Sequence, residues 1–542
     1  MIAMAVHPND HLAWGLPLSP TLPRNGGGSL TGLLTLRSSG PISLCRSVRQ
    51  RAARFIATAI ATFVCTSALA AELVLDVATM PRVATIDPRF QSYNIEMVEV
   101  TGGRFWKPYA AADAQAGKAD RFAQRPPIDL HDARLRKLAA ALAPSYLRVS
   151  GTWANSTFVA DTDIPPPVPP AGFDGVLTPQ QWRSVIDFSR AVDAPIVTSF
   201  AISAGTRDAG RPWTATQAQR LLAHTLSYGG HLAAAEFMNE PDLPAIGGAP
   251  DGYDAAAYAR DFATFRSFMK RAAPDVTILG PGTAGTGADA AALFAATAQG
   301  IDVVSYHHYG ALSARCDGDR TSETALSDEW LARTDKTFAF YRTLRDRLAP
   351  GMPIWLTETA EAACGGNRWA ASFVDTFRYL DQLGRLAKAG VQVVMHNTLA
   401  ASDYGLLDEQ AHRPRPNYWA ALLWRRLMGT TVLDTEVAPQ RGLHVYAHCA
   451  RDRRGAVALL VINNDRELER KLMLPTASQR YTLASATPED GTIKLNGNTL
   501  ALTAGDDFPA LTGEAVAAGP ITLAPATVTF LIAAETGNPN CL

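Results

Sequence analysis

Two glutamates stand near the ends of short apolar segments, where an acidic side chain is costly unless it is paired or used in chemistry. The segment AAAEFMNEPDLP (233–244) contains Asn239 and Glu240, and a proline follows at once. The segment MPIWLTET (352–359) carries Glu358. Two carboxyl groups facing each other across a sugar ring, one protonated and one ionised, can cleave a glycosidic bond. The pair indicates such a site if the fold brings the two segments together.

The elements that must position this pair are eight apolar segments, separated by stretches in which apolar residues recur every three or four positions. This alternation predicts a (β/α)8 barrel and not an open doubly wound sheet, because no glycine-rich phosphate loop follows the first strand. The predicted strands are 90–97, 145–151, 195–203, 233–241, 277–283, 301–309, 352–359 and 391–399. The predicted helices include 130–143, 178–192, 214–228, 253–273, 328–348 and 370–389.

A second module follows the predicted barrel. After Gly429 the sequence changes to short alternating runs broken by glycine, proline, asparagine and aspartate, which is typical of a β-sandwich. The segment AELVLDVAT (71–79) has no helix behind it, and we expect it to pair into this module. The predicted division is a catalytic barrel over 90–428 and a β-sandwich domain built from 72–89 and 429–542.

Residues 1–71 are interpreted as an N-terminal extension with a secretory signal peptide. An arginine-rich stretch precedes an apolar run that starts at Phe55, and Ala68-Leu69-Ala70 has the small residues of a cleavage site. The run is shorter than the ~20 apolar residues that span a bilayer, and threonines interrupt it. We therefore expect a secreted or periplasmic protein without membrane insertion.

Composition and charge narrow the range of partners. The chain has 542 residues, of which 47% are hydrophobic and 19% charged, so it can bury a large core. Residues 1–71 hold six arginines and one acid, which leaves the remainder with a net charge of −6. This balance disfavours a general polyanion-binding surface, so we expect no nucleic-acid partner. We also expect a monomer.

Four cysteines follow residue 71. An even number in an exported chain indicates two disulfides, although four cysteines allow three pairings. The predicted barrel favours one pairing, because Cys316 and Cys364 lie in the loops after neighbouring strands six and seven, whereas Cys449 and Cys541 both lie in the second module. We predict the disulfides Cys316–Cys364 and Cys449–Cys541.

Polar residues at the carboxyl ends of the strands are the candidates for binding and catalysis, since barrel enzymes build their sites there. Adjacent histidines on a strand point to opposite faces and cannot bind one ion together, so we expect no metal site. The candidates are Arg148, Asn155, Asn239, Glu240, His307, His308, Tyr309, Glu358 and Asn397.

The motifs EFMNEPD, SYHHYG and WLTETAEAACGG, and most specifically the long run over 373–433, resemble glycoside hydrolase family 79, the heparanase-like family. The resemblance implies a barrel with a β-sandwich, no cofactor, and retaining cleavage of β-glucuronidic bonds. The implied substrate is a uronic-acid-containing oligosaccharide or polysaccharide of the heparan sulfate kind. Glu240 would be the acid/base, Glu358 the nucleophile, Asn239 a partner of the sugar 2-hydroxyl, and Tyr309 a residue that orients the nucleophile.

The resemblance also implies that the backbone amides of Gly365 and Gly366, with the Tyr404 hydroxyl, bind the glucuronate carboxylate. Two neighbouring positions depart from the family pattern. Cys364 stands where the family has tyrosine before the glycine pair, with one extra residue after the nucleophile, and Asp403 stands where it has asparagine before the tyrosine. The preference for a uronic acid should therefore persist, while the neighbouring subsites differ.

Two alternatives stay open. One is an exo-acting β-glucuronidase that trims small glucuronides, and the other is a non-catalytic carbohydrate-binding protein on an inactive barrel. The net negative charge gives the chain little long-range attraction for an anionic polymer. Local basic residues would therefore have to bind such a polymer, and the candidates are Arg368, Arg413 and Arg415. Endo or exo action and the sulfation preference do not follow from the sequence.

Overall fold

The computed structural model describes residues 73–109, 121–208 and 212–542. The predicted extension and signal peptide at 1–71 lie outside these residues. Among the helices of the described ranges, none has both the length and the apolar character needed to cross a membrane.

Eight parallel strands close into a barrel in which each strand pairs with the next in the chain and the eighth pairs with the first. The predicted (β/α)8 fold is confirmed, since every one of the eight apolar segments forms a barrel strand. Most strand residues are buried on both faces, as a sheet surrounded by helices requires. Numbered one to eight in chain order, the strands are Gln91–Glu96, Leu147–Ser150, Ile196–Thr198, Leu232–Glu236, Thr277–Thr283, Val303–Leu312, Ile354–Ala363 and Val393–His396.

An α-helix of eight or more residues follows each strand. Local sequence sets where the helices begin: Thr178 and Gln181 form a reciprocal capping box, and Asp254 accepts a hydrogen bond from a backbone amide in the first turn of its helix. The helix Ala288–Thr297 is not evident from the sequence, because its alanine-rich composition gives a weak apolar periodicity. The eight helices are Ala133–Ala140, Pro179–Ala191, Thr216–Ser227, Ala255–Ala272, Ala288–Thr297, Arg333–Leu348, Phe373–Lys388 and Pro416–Leu427.

Two further sheets share one apolar core and form the β-sandwich, as predicted. Leu472 and Ile521 of the smaller sheet are buried with Leu459 and Leu531 of the larger one. The smaller sheet consists of Leu73–Val74, Arg470–Leu474 and Gly519–Leu523. The larger sheet consists of Arg82–Thr85, Met428–Leu433, Leu443–Ala450, Val457–Asn463, Thr527–Ala533, Ser478–Ala484, Lys494–Leu495, Asn498–Thr499 and Glu514–Val516.

The segment before the barrel ties both ends of the chain into the sandwich. Leu73–Val74 pairs with Arg470–Leu474, which confirms for the described part of the segment that it joins this module. The next strand, Arg82–Thr85, was not predicted, and it pairs with Met428–Leu433 directly after the last barrel helix. The predicted disulfide Cys449–Cys541 is present.

A buried carboxylate links the barrel to the larger sheet. Asp381, on the helix after strand seven, accepts hydrogen bonds from Arg385 of the same helix and from His444 and Tyr446 of the sheet. No side chain fits at Gly384, because the Tyr446 ring packs against that position. The helix that follows strand seven is therefore fixed to the sandwich by the hydrogen bonds of the buried Asp381 carboxylate and by the packing of Tyr446 against Gly384.

Candidate active site

Strands six and seven are longer than predicted, and this changes where Glu358 stands. They continue to pair with each other as far as Leu312 and Ala363, beyond the point where the other barrel strands end. Glu358 therefore lies within strand seven and not at its end. Glu240 lies four residues beyond strand four, in a left-handed backbone conformation with a φ of 47°.

The two glutamates nevertheless meet at the barrel mouth. A carboxylate oxygen of Glu240 and one of Glu358 lie within 4.8 Å of each other. His307 stands beside both, with its Nδ1 3.0 Å from Glu240 Oε1 and 3.8 Å from Glu358 Oε2. The side chains that the sequence placed on opposite strands, four and seven, thus share one site.

Arg148, from strand two, is the buried cation of this site. Its Nε and Nη2 donate to Glu236 Oε2 over 3.0 and 2.8 Å, and its Nη1 donates to Glu358 Oε2 over 2.8 Å. Nη2 also donates to Asn239 Oδ1 over 2.8 Å and lies 3.3 Å from His307 Nε2. A buried ion is tolerated only with such compensation, so this guanidinium joins strands two, four and seven.

Asn155 fixes the backbone that precedes Glu240. Its Nδ2 donates to the carbonyl of Asn239 and its Oδ1 accepts from the amide of Asn239, each over 2.9 Å. Both polar groups of the Asn155 side chain are used in this reciprocal pair. The residue therefore positions the turn that carries Glu240.

A hydrogen-bond chain reaches the other side of Glu358. The Tyr309 hydroxyl donates to Glu358 Oε1 over 2.6 Å, and Asn397 Nδ2 lies 3.0 Å from that hydroxyl oxygen. The same Nδ2 lies 3.0 Å from Glu96 Oε1 and 3.2 Å from the Tyr404 hydroxyl. Because Tyr404 accepts from Asn397, its own proton is left to be donated.

The predicted glycine pair lies in a tight loop after strand seven. Gly365 and Gly366 have φ values of 77° and 84°, which favour glycine, and a Cβ at Gly365 would stand 2.6 Å from the Trp106 Cβ. The predicted disulfide Cys316–Cys364 is present and anchors this loop to the loop after strand six.

The environments of the two glutamates differ in the way that acid and base roles require. Burial, together with the charge of Glu358, raises the pKa of Glu240. Burial also acts to raise the pKa of Glu358, but the positive charges of His307 and Arg148 and the hydrogen bond from Tyr309 outweigh it and lower that pKa. Glu240 thus favours its protonated form and Glu358 its ionised form.

Three further buried glutamates lie close to the site and were missed by the sequence reasoning. Glu236 ends strand four and pairs with Arg148, which lowers its pKa against the effect of burial. Glu96 ends strand one, and burial with the nearby charge of Glu358 raises its pKa well above the usual value. Burial raises the pKa of Glu361, in strand seven, to about 8. The rule that selected strand ends would have found Glu96, near the end of the predicted strand 90–97, but not Glu236, because the predicted strand four continued to 241 and in the structure ends at Glu236.

Two other residues that the sequence suggested for binding or catalysis make structural contacts instead. His308 contacts the helix after strand six, with its Nδ1 2.9 Å from Thr337 Oγ1, and burial lowers its pKa to about 3. Arg415 donates to the carbonyls of Ser402, Asp403 and Gly405, so it organises the loop after strand eight instead of offering its charge to a polymer.

Within the described ranges, the side chains grouped closely enough to hold a metal ion are Glu240, His307 and Glu358, each of which offers one ligand atom. Arg148 donates to Glu358 Oε2, the oxygen that lies 3.8 Å from His307 Nδ1. A permanent guanidinium charge in contact with a would-be ligand opposes a second cation, so the arrangement suits proton transfer and nucleophilic attack better than metal binding.

Comparisons with known proteins point to one family. The description of the matching family model is the N-terminal domain of glycosyl hydrolase family 79, and it covers residues 128–384. Heparanase of Mus musculus is 28% identical over 457 residues, which are 72% of this chain and 83% of the mouse protein. Baicalin-β-D-glucuronidase of Scutellaria baicalensis is 34% identical over 165 residues, 29% of this chain and 31% of the plant enzyme.

A solved structure supports the same fold. The 4-O-α-L-rhamnosyl-β-D-glucuronidase from Fusarium oxysporum 12S superposes with a TM-score of 0.61 and 15% identity, and the match covers 85% of this chain and 100% of the fungal chain. At this identity the likeness concerns the fold alone.

We predict that Arg148→Met lowers the free energy of unfolding by about 3–5 kcal/mol at neutral pH, because it removes the guanidinium that pairs with the buried carboxylates of Glu236 and Glu358. Urea unfolding measures the loss. The double variant Arg148→Met/Glu236→Gln should recover part of it, since one of the two charges is removed. A stability of Arg148→Met equal to that of the wild type would contradict this account of the site.

Proposed function

Because this chain is a heparanase-like member of glycoside hydrolase family 79, we propose that it is a retaining β-glucuronidase that acts on uronic-acid-containing saccharides. The observation that carries the proposal is the spacing of the acids, with carboxylate oxygens of Glu240 and Glu358 within 4.8 Å. Retaining enzymes place their carboxyl groups about 5–5.5 Å apart, whereas inverting enzymes leave about 6.5–9.5 Å for a water molecule. The observed gap supports retention.

In the first step, a carboxylate oxygen of Glu358 attacks the anomeric carbon. The bond from that carbon to the leaving-group oxygen breaks, and Glu240 gives its proton to this oxygen. Tyr309 and Arg148 each hold one oxygen of Glu358, so the carboxylate is oriented before the attack. The raised pKa of Glu240 keeps its proton available.

In the second step, the glycosyl ester on Glu358 is hydrolysed. Glu240, now ionised, takes a proton from water while the water oxygen attacks the anomeric carbon, and Glu358 departs as a carboxylate. Arg148 and Tyr309 stabilise the departing charge with the contacts that oriented the nucleophile. Two displacements at the same carbon return the original β configuration, which proton NMR of the first product would reveal.

Selection for glucuronate is assigned to neutral donors: the amides of Gly365 and Gly366 and the hydroxyl of Tyr404. Glycine lets the backbone approach a ligand closely, and Tyr404 has a proton to donate because it accepts from Asn397. Hydrogen bonds to a charged acceptor contribute about 1.5–3 kcal/mol each, so a few of them discriminate against a neutral sugar.

An exported location is part of the proposal, and the two disulfides support it, since disulfides persist in oxidising compartments. The natural substrate would be a heparan-sulfate-like polymer cut internally, or small glucuronides trimmed from an end. Sizing the products of heparan sulfate digestion, beside the hydrolysis of a simple aryl β-glucuronide, separates the two modes.

We predict different defects for Glu240→Gln and Glu358→Gln. Loss of the acid should slow phenyl β-glucuronide about 10²–10⁴-fold. The loss in kcat/KM, which reports the first step, should be much smaller for the 2,4-dinitrophenyl glycoside, because its leaving group departs without a proton. Loss of the nucleophile should abolish turnover of both substrates, because no glycosyl ester forms. If Glu358→Gln retained activity on the dinitrophenyl substrate and Glu240→Gln did not, the two roles would have to be exchanged.

We predict that kcat/KM falls as the pH rises through the raised pKa of Glu240, and that the size of the fall depends on the leaving group. Glu240 works while it is protonated, so activity should persist up to its raised pKa and fall as the pH rises through that value. Rate profiles for phenyl and 2,4-dinitrophenyl β-glucuronide provide the comparison. The fall should be pronounced for the phenyl glycoside and weak for the dinitrophenyl glycoside, and identical profiles would argue against Glu240 as the acid.

We predict that an aryl β-glucuronide is hydrolysed at least about 10²-fold more efficiently than the matched β-glucoside, and that Tyr404→Phe narrows this ratio about tenfold by removing one hydrogen bond to the carboxylate. The β-glucoside, which lacks the carboxylate, serves as the control for each variant. Equal rates of the wild type on both sugars would rule out the proposed selection.

A further inference from the structure

Two adjacent residues in the loop after strand six hold the glycine loop from both sides. Cys316 forms the disulfide with Cys364, directly before Gly365. Arg315 donates from Nη1 to the carbonyl of Gly366 over 2.8 Å and lies 3.3 Å from that of Cys364. The loop is thus fixed covalently on one side of the glycine pair and by a charged donor on the other.

The same guanidinium joins two more segments of the barrel mouth. Its Nε and Nη2 donate to the carbonyl of Lys107, after strand one, over 3.0 and 2.5 Å. Its Nη2 also contacts the carboxylate of Asp403, after strand eight. The cation lies 3.7 Å from the centre of the Tyr109 ring, and the Arg315 side chain is only 5% exposed. The loops after strands one, seven and eight therefore all accept hydrogen bonds from the Arg315 guanidinium group.

The glycine pair needs such external support. Gly365 and Gly366 adopt positive φ values. Because glycine has no side chain, nothing within the residue restricts its backbone to one conformation. The direction of their amides must therefore be imposed by neighbours. The carbonyl of Gly365 accepts from the amide of Asp403 over 3.1 Å, and the carbonyl of Gly366 accepts from Arg315.

Arg315 does not act as a free counter-charge for a substrate, because Asp403 pairs with it. On the basis of the proposed function, we propose that Arg315 and the Cys316–Cys364 disulfide are positioning elements that aim the Gly365 and Gly366 amides at the substrate carboxylate. They set specificity for a uronic acid without touching the reacting atoms. Recognition of the substrate carboxylate depends on the direction of these amides, because misplacing a positioning group by about 1 Å can lower the reaction rate about 10²-fold.

Kinetics on matched aryl β-glucuronide and β-glucoside test this with Arg315→Gln, Arg315→Lys and the double variant Cys316→Ser/Cys364→Ser. Each variant should raise KM for the glucuronide about tenfold or more and leave kcat within about threefold, while the glucoside constants stay unchanged. The ratio of kcat/KM between the two sugars does not depend on how much protein is folded, so a destabilised variant still gives an answer.

Arg315→Lys separates positioning from charge. Lysine keeps the positive charge but lacks the planar fork, so a positioning role predicts that it fails to restore the glucuronide KM. Arg320→Gln, in the same loop, is the matched control for the loss of one charge, because the Arg320 guanidinium donates to Thr324 and, among the described residues, makes no hydrogen bond to Gly365 or Gly366. Its two KM values should stay within about twofold of the wild type.

The outcomes distinguish this inference from the proposed function. A wild type that prefers the glucuronide, with variants that keep the same preference, overturns the positioning role alone. A full rescue by Arg315→Lys, or equal losses on both sugars, overturns it as well. A wild type with no preference for the glucuronide overturns the proposed selection and the positioning role together.

Discussion

The charge of Arg148 is the constraint on which the candidate site depends, because a buried ion without compensation is very costly. The acids that touch this guanidinium, Glu236 and Glu358, have lowered pKa values despite their burial. The acids that do not touch it, Glu240 and Glu96, have raised pKa values. Contact with Arg148, together with the charge of His307 beside Glu358, therefore separates the pKa values of the two acids that face each other across the gap, lowered for Glu358 and raised for Glu240.

The closed barrel is what lets one side chain reach these partners. Arg148 starts on strand two and meets acceptors on strands four and seven, which converge only because the sheet closes on itself. Strands six and seven continue to pair as far as Leu312 and Ala363, and the glycine loop follows directly after the end of strand seven. Behind strand seven, Asp381 fixes the following helix to the sandwich, so the second module supports the strand that bears Glu358.

Much of this follows from the sequence, for physical reasons that also explain the limits. Apolar runs revealed all eight strands, and the strand-end rule selected Glu240, Glu358 and Asn397. The rule was not applied to Glu96, although this residue also ends a strand. The role of Arg315 was not accessible, because its hydrogen bonds join segments that lie far apart in the chain. The full length of strands six and seven was likewise not predictable, because their pairing beyond the barrel depends on contacts between two segments and not on a local sequence pattern.

The two departures from the family pattern become one feature in the structure. Cys364 and Asp403 look like independent losses in the sequence, yet their partners are the adjacent residues Cys316 and Arg315. A backbone amide offers the same donor whatever side chain precedes it, so recognition of a carboxylate needs only the direction of the amide to be kept. A disulfide and a compensated arginine can hold that direction as well as other side chains can. The departures in sequence are therefore compatible with the proposed uronic acid preference, because the changed residues contact the proposed recognition groups and are not those groups themselves.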